Sequence, residues 1–251
     1  MLTPHEKKEV LKQLQKVQED FKEAQDELKN HINWILNNYD FSNIDKCKEI
    51  HVTVDDSAFL TMLTSSVQTY PSNYMDDLEN NLLEGEVAGH LYGDVDDDDT
   101  AIHYHVHAVS VMHNYEEQTD ESCAYSEAHY QKIRYVTDAF KSIRCIGRFH
   151  SHPYNYKEFE SDECSLFSPT DQESVRDSLN EYDVPPLEMI LALSYLTKKK
   201  YKSSKTKESM IVNFCQRYKY VLRSFVYSFS TGRLEDVNQI RCSIAEKPIN
   251  Y

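Results

Sequence analysis

Two histidines separated by a single residue are the clearest sign of chemistry in this sequence. His150 and His152 lie in the segment RFHSHP (148–153), at the end of a run predicted to be a β-strand. Side chains alternate between the two faces of a strand, so both imidazoles point the same way. Two imidazoles on one face can bind one metal ion, although such pairs also occur in strands that bind none.

A carboxylate that could complete a metal site follows in the segment SPTD (168–171). Ser168, then Pro169, with Asp171 at the third helical position, is typical of the start of a helix, and a cap of this kind needs no metal. If the helix begins beside the histidine strand, Asp171 would complete a set of two histidines and one carboxylate. Such a set leaves one position open for water, as catalytic zinc sites require.

An acidic residue stands at the entry of an earlier predicted strand, in the segment EVAGHLYG (86–93). Glu86 could be a solvated strand end, or it could transfer protons beside the metal. Four of the five glycines in the chain (85, 89, 93 and 147) flank this strand and the histidine strand. Glycine permits close approach of another backbone or of a ligand, so we expect close packing there.

A second histidine pattern competes for the metal. His103, His105 and His107 alternate along AIHYHVHAV (101–109) and could bind an ion from one strand face. No carboxylate or glycine pattern accompanies them, which favours exposed or hydrogen-bonded histidines instead. We therefore prefer the pair at 150 and 152 as the metal site.

Composition limits the classes of partner. Asp and Glu number 42 against 27 Lys and Arg, and the resulting net charge of -15 opposes binding to phosphate backbones. Segment 76–99 holds ten acidic residues and no Lys or Arg, which favours a cationic partner surface. No apolar run is long enough to span a membrane, and the six cysteines form no CxxC pair. We expect a cytoplasmic protein with free thiols that binds neither nucleic acid nor membrane.

The chain is predicted to have two parts. Residues 1–45 form a long N-terminal helical extension, since apolar residues recur at alternating steps of three and four between Val10 and Ile35. This coiled-coil-like helix could pack on its own domain, self-associate or bind a protein partner. Residues 46–251 form the second part.

In this second part, short β-branched runs alternate with helical segments, which predicts an α/β fold. The lysine-rich segment 198–207 is predicted to be a mobile loop. We expect helices near 58–70, 126–140 and 168–182, and strands at 49–54, 86–92, 101–112, 144–150, PLEMILALSYL and YVLRSFVYSFS.

The three chemical segments occur in a recognisable order. The acid in EVAGHLYG, the pair in CIGRFHSHP and the cap in SPTDQES together resemble the signature of the JAMM (MPN-domain) metalloprotease family. The resemblance spans roughly residues 49–230. It implies a three-layer α-β-α fold with a curved mixed β-sheet, and one Zn²⁺ per chain bound by His150, His152 and Asp171.

The resemblance also implies an activity. Glu86 would act as general acid and base, and Ser168 would donate a hydrogen bond to the oxyanion, during hydrolysis of the bond between a ubiquitin or ubiquitin-like C-terminus and a substrate amine. Two alternatives remain open. The chain could be a non-catalytic MPN-type scaffold or ubiquitin-like-binding module, or a related hydrolase that trims a small carrier protein.

Two features depart from the family pattern. The run 153–167, fifteen residues between the second histidine and the helix start, is longer than is usual in the family, and His90 replaces a generally apolar residue. Cys164 in this run could reach the metal as an extra ligand. Alternatively, the run could form a substrate flap that uses its aromatic residues Tyr154, Tyr156 and Phe159.

Overall fold

The structure is a computed structural model of the 251-residue chain. It describes Lys16, Lys22 and residues 48–70, 85–112, 115–118, 123–125, 132, 133, 135–137, 139, 144–155, 159, 164–179, 182, 184–196 and 205–247. Two compact units divide the chain, Met1–Cys47 and Lys48–Tyr251. The predicted N-terminal helix lies outside the described residues, apart from Lys16 and Lys22, and stays a prediction.

A mixed, curved β-sheet forms the second unit, as the sequence predicts. The sheet has the strand order β12-β1-β3-β2-β6-β7-β10-β9-β8, with β11 paired to β10, and β4 pairs separately with β5. β1 runs parallel to β3 and β12, and β6 runs parallel to β7, whereas the other pairs are antiparallel. The strands are β1 (Glu49–Val54), β2 (Ala88–Asp97), β3 (Ala101–Val111), β4 (Tyr115–Gln118), β5 (Cys123–Tyr125), β6 (Arg144–Tyr154), β7 (Leu187–Tyr195), β8 (Lys205–Lys207), β9 (Met210–Cys215), β10 (Tyr218–Ser228), β11 (Arg233–Asp236) and β12 (Gln239–Arg241).

Three helices that are described from end to end accompany these strands, and residues 132, 133 and 135–137 are also helical. The three helices are α1 (Asp56–Gln68), α2 (Pro169–Ser178) and α3 (Ser243–Glu246). Helix α1 packs against β3, β6 and β7. Its residues Phe59, Met62 and Leu63 recur at helical spacing and join the main apolar core, which anchors the helix to one face of the sheet. Among the described residues, no helix has both the length and the apolar content to cross a bilayer.

The glycines mark close contacts between strand backbones, as expected. At Gly147, where β6 runs beside β7, an added Cβ would lie 1.8 Å from the carbonyl oxygen of Leu187. Only glycine allows the two strands to pair at this point without a shift of the backbone. The approach matters for the site, because β6 carries the candidate metal ligands.

Part of the lysine-rich segment 198–207 forms a strand, which corrects the prediction of a loop there. Its residues Lys205–Lys207 make up β8, which pairs with Met210–Cys215 at the edge of the sheet. The apolar β9 offers backbone groups to a neighbour, and lysine is well suited to an exposed edge strand. The rest of the segment lies outside the described residues.

Candidate metal centre

Strand β6 brings its two histidines together on one face of the sheet. The Nε2 atoms of His150 and His152 lie 3.0 Å apart, and the ring centroids are separated by 4.8 Å. Burial lowers the pKa of both rings, and the neighbouring His152 lowers that of His150 further. Both imidazoles are therefore neutral at pH 7, which is the form that binds a metal.

Helix α2 presents Asp171 to the same place. Oδ2 of Asp171 accepts hydrogen bonds from the backbone N of Ser168 at 2.8 Å and from its Oγ at 2.7 Å, and the Asp171 N–H donates back to Oγ at 3.1 Å. Oδ1 lies 3.7 Å from Nε2 of His150. One carboxylate oxygen of Asp171 thus takes part in the capping box of the helix, while the other faces the histidines. Asp171 therefore serves the helix cap and is also the candidate metal ligand.

The three residues form a set of ligands that suits zinc. One ligand atom from each of His150, His152 and Asp171 lies within 4.8 Å of the others. Two imidazole nitrogens and one carboxylate oxygen are the donors of many catalytic zinc sites, in which the fourth position is left open.

A backbone carbonyl orients the second histidine. Nδ1 of His152 donates to the carbonyl oxygen of Cys164 at 3.2 Å, which leaves the Nε2 lone pair facing His150. The Cys164 side chain packs in a separate apolar cluster that includes Ile190. Among the described residues, the group that could hold a metal contains no cysteine. Cys164 therefore contributes its backbone carbonyl to the orientation of His152, whereas the sequence had suggested its thiol as one alternative, an extra metal ligand.

Glu86 lies beside these ligands without joining them. Its Oε1 atom is 3.8 Å from Nε2 of His152, and the residue is only 7% exposed. Gly85, immediately before it, has a φ of 137°, a conformation that other residues rarely adopt, and its N–H donates to the carbonyl of Thr69 at 2.8 Å. This turn directs the Glu86 carboxylate inward.

Ser151 secures the same turn, a role that sequence reasoning missed. It lies between the two histidines, and its Oγ accepts the backbone N–H of Val87 at 2.9 Å, while its own N–H donates to the Val87 carbonyl at 2.7 Å. The strand that carries the ligands thus also holds the backbone next to Glu86. Only the pairing of β2 with β6 reveals this contact.

A buried ion pair near the ligands was also missed. Nε of Arg148 lies 3.2 Å from Oε1 of Glu188, whose side chain is 2% exposed. Desolvation raises the pKa of Glu188 to about 7, and Arg148 opposes the rise. The one signal in the sequence was a glutamate within the otherwise apolar strand PLEMILALSYL.

Two described aromatic residues of the insertion after the second histidine pack against each other and against the sheet. Phe159 is 7% exposed and packs in the apolar cluster with Val221 and Phe225, and its ring meets that of Tyr154 with 6.0 Å between centroids. The Phe159 ring is therefore part of an apolar cluster and is not exposed as a substrate flap would require. Tyr156, the other proposed flap residue, lies outside the described residues.

Two of the three competing histidines of β3 contact carboxylates. Nε2 of His103 is 3.4 Å from Asp98, and His107 contacts Asp55 at 3.0 Å through Nδ1 and Asp94 at 3.1 Å through Nε2. In the described part of the chain, these histidines do not converge on a common point that could hold a metal. The structure therefore favours the hydrogen-bonded interpretation of this strand.

Comparison with known families agrees with the site. Residues 48–164 match the family model described as JAB1/Mov34/MPN/PAD-1 ubiquitin protease, and this match supports the suspected relationship to the JAMM (MPN-domain) family. No curated protein matches the chain. The matched segment includes Glu86 and both histidines, whereas Ser168 and Asp171 lie beyond its end. The family includes hydrolases as well as non-catalytic members.

Proposed function

We propose that this chain is a zinc-dependent isopeptidase that hydrolyses the bond between the C-terminus of ubiquitin, or of a ubiquitin-like protein, and a substrate amine. One observation carries the proposal: His150, His152 and Asp171 converge within 4.8 Å although Asp171 comes from a different element and lies beyond the family match. A scaffold has no need for this convergence beside a buried carboxylate.

His150, His152 and Asp171 would hold the zinc. When bound, zinc polarises a carbonyl and lowers the pKa of a water molecule from far above neutral to about 7. The low pKa values of the two histidines keep them deprotonated, and the Cys164 carbonyl fixes the ring of His152. The protein thereby supplies ligands that need neither lose a proton nor reorient.

Glu86 would move the proton. It accepts a proton from the attacking water as the water oxygen bonds to the carbonyl carbon, and it returns that proton to the amine nitrogen as the C–N bond breaks. Its distance of 3.8 Å from His152 leaves it close to the site but outside the group of metal ligands. The Gly85 turn and Ser151 hold its backbone in position.

Ser168 would donate a hydrogen bond to the developing oxyanion. In the structure its hydroxyl donates to Asp171 Oδ2 at 2.7 Å, and the residue is exposed. In the reaction the hydroxyl would turn from the carboxylate towards the substrate. Loss of an oxyanion donor typically lowers kcat by about 10²–10³-fold.

The proposal also includes how the substrate and a protein partner would be recruited. A ubiquitin-like partner with a cationic surface would be attracted by the acidic segment 76–99. The extension at 1–45 would recruit a protein partner or a second copy of the chain. This assignment depends on the sequence pattern alone.

The test is cleavage of a panel of ubiquitin-like fusions and branched conjugates by the full chain. Wild type is expected to cleave at least one member and to lose activity when zinc is chelated. Glu86→Gln and His150→Ala should abolish cleavage with the fold intact, while His105→Ala, at an exposed position of β3, serves as the matched control. Turnover by Glu86→Gln at the wild-type rate contradicts the proposal, and zinc uptake without cleavage of any member supports a binding module instead.

A further inference from the structure

A buried ion pair lies on the side of the sheet that faces the metal centre. Arg148 and Glu188 are direct partners in the parallel pairing of β6 and β7, with 3.2 Å between Nε and Oε1. Their side chains are 13% and 2% exposed. Arg148 precedes His150 by two positions, so both side chains leave the same face of the strand.

The charge of Arg148 lies close to the metal centre. The residue stands two positions before His150 on the same face of β6, and its side chain is mostly buried. A positive charge in a poorly solvated position opposes a bound divalent cation, since Coulomb interactions weaken less there than in water. Without a compensating charge, Arg148 would therefore reduce the affinity of the centre for zinc.

Arg148 also lies close to the helix that carries the third ligand. It lines a cleft of about 420 Å³ together with residues of α2, among them Thr170 and the exposed carboxylates Glu173 and Asp177. Asp171 is next to Thr170 on the same helix and has one oxygen, Oδ1, directed towards His150. Arginine pairs strongly with carboxylates, so a guanidinium released from the buried Glu188 would be drawn towards the acidic side chains of α2, which include Asp171.

We propose that Glu188 is a positioning residue of the metal centre, which retains Arg148 and balances its charge so that Asp171 stays available to the cation. The inference rests on the zinc site proposed above and extends it to two residues outside the ligand set. A purely structural role for the pair would affect folding and leave the relative zinc affinities unchanged.

Zinc affinity of the full chain, measured by competition with a chromophoric chelator at pH 8, tests the inference. Glu188→Gln keeps the shape and a hydrogen-bond acceptor but removes the charge, and it should weaken zinc binding by about 10–100-fold, as is typical for partners of metal ligands. Arg148→Met combined with Glu188→Gln removes both charges and should restore affinity close to that of wild type. Arg148→Met alone should bind zinc at least as tightly as wild type.

Each result decides the inference. Unchanged affinity in Glu188→Gln overturns it, and so does a double variant that binds as weakly as Glu188→Gln. If Glu188→Gln fails to fold, Arg148→Met decides, because a weakened affinity in that variant contradicts the charge balance. Wild type that binds zinc but cleaves nothing refutes the isopeptidase and leaves this inference standing, whereas wild type that takes up no zinc overturns both.

Discussion

Strands β3 and β6 share a pattern of alternating histidines. They differ in how deeply these histidines are buried and in what the histidines contact. In β6, the rings of His150 and His152 are mostly buried and their Nε2 atoms face each other at 3.0 Å. In β3, the side chains of His103 and His107 are 44% and 36% exposed, and each contacts a carboxylate. The same alternation of histidines produces a buried pair of candidate ligands in one strand and partly exposed contacts with carboxylates in the other.

The position of the carboxylates explains the difference. Asp171 approaches the β6 histidines from the first turn of a helix, where its other oxygen is held by the cap. His107 lies between Asp55 and Asp94, which contact opposite nitrogens of its ring. Two acids at opposite nitrogens of one ring cannot both bind the same ion as that ring, whereas Asp171, His150 and His152 approach one point from the same side.

The largest expected effect is the loss of zinc binding when a histidine of β6 is replaced, with no such loss when a histidine of β3 is replaced. His152→Ala should lower zinc affinity at least about 100-fold, because even the outer partners of metal ligands typically contribute 10–100-fold. His103→Ala should leave affinity and stoichiometry unchanged. The measurement is zinc per chain by elemental analysis after dialysis against a weak chelator. Equal losses in the two variants would remove the distinction between the strands.

The next largest effect is expected in the pH dependence of the free energy of unfolding, through Glu188. Because burial raises the pKa of Glu188 from 4.5 to about 7, the folded chain keeps a proton over this range that the unfolded chain has lost. The contribution of Glu188 to the free energy of unfolding therefore falls as pH rises from 4.5 to 7, by about 3 kcal/mol in all. Urea unfolding of metal-free wild type and Glu188→Gln should show the variant gaining relative stability across this range. A constant difference would contradict the raised pKa.

A smaller effect is expected at the residue between the two ligands. Ser151→Ala leaves the buried N–H of Val87 without its acceptor, which should cost about 1–3 kcal/mol in the free energy of unfolding. Cleavage should fall further than zinc affinity, because the contact holds the backbone next to Glu86. Ser151→Thr keeps the hydroxyl and provides the control. If Ser151→Ala retains wild-type kcat, the serine does not position Glu86.

The smallest effect is expected at His107 in β3. The hydrogen bond that its ring donates to Asp55 raises the pKa of His107, with Asp94 adding to the rise and desolvation opposing it. The stabilisation is therefore complete below the unfolded pKa of about 6.5 and is lost as pH rises through the folded pKa. His107→Gln should cost less than about 1 kcal/mol at pH 6 and less still at pH 9. Titration by NMR should place the pKa of His107 above that of His150 in the metal-free chain, and the reverse order would contradict the comparison.

The local sequence pattern was sufficient to predict those features that depend on a single segment of the chain. The alternation of His150 and His152 follows from strand geometry, and the capping arrangement of Ser168 and Asp171 follows from helix geometry. Strand β1 was predicted with its bounds as observed, 49–54. These features depend on neighbours within a few positions along the chain.

Features that depend on strand register could not be predicted in this way. Ser151 binds Val87 because β2 pairs with β6, and Arg148 meets Glu188 because β6 pairs with β7. The sequence contains each residue but not the offset between strands. The same limitation applies to β8, since a lysine-rich segment becomes a strand only when an apolar neighbour offers it an edge.

The contact between His152 and the carbonyl of Cys164 has a consequence for the tolerance of the site to sequence change. Every amino acid has that carbonyl, so the contact with His152 does not by itself restrict which side chain stands at position 164, where the side chain packs in the apolar cluster. An alanine or valine there would still orient the imidazole, and thiol-blocking reagents would not act through this contact. The insertion after His152 thus contributes a backbone carbonyl, which no substitution of the side chain at position 164 can remove.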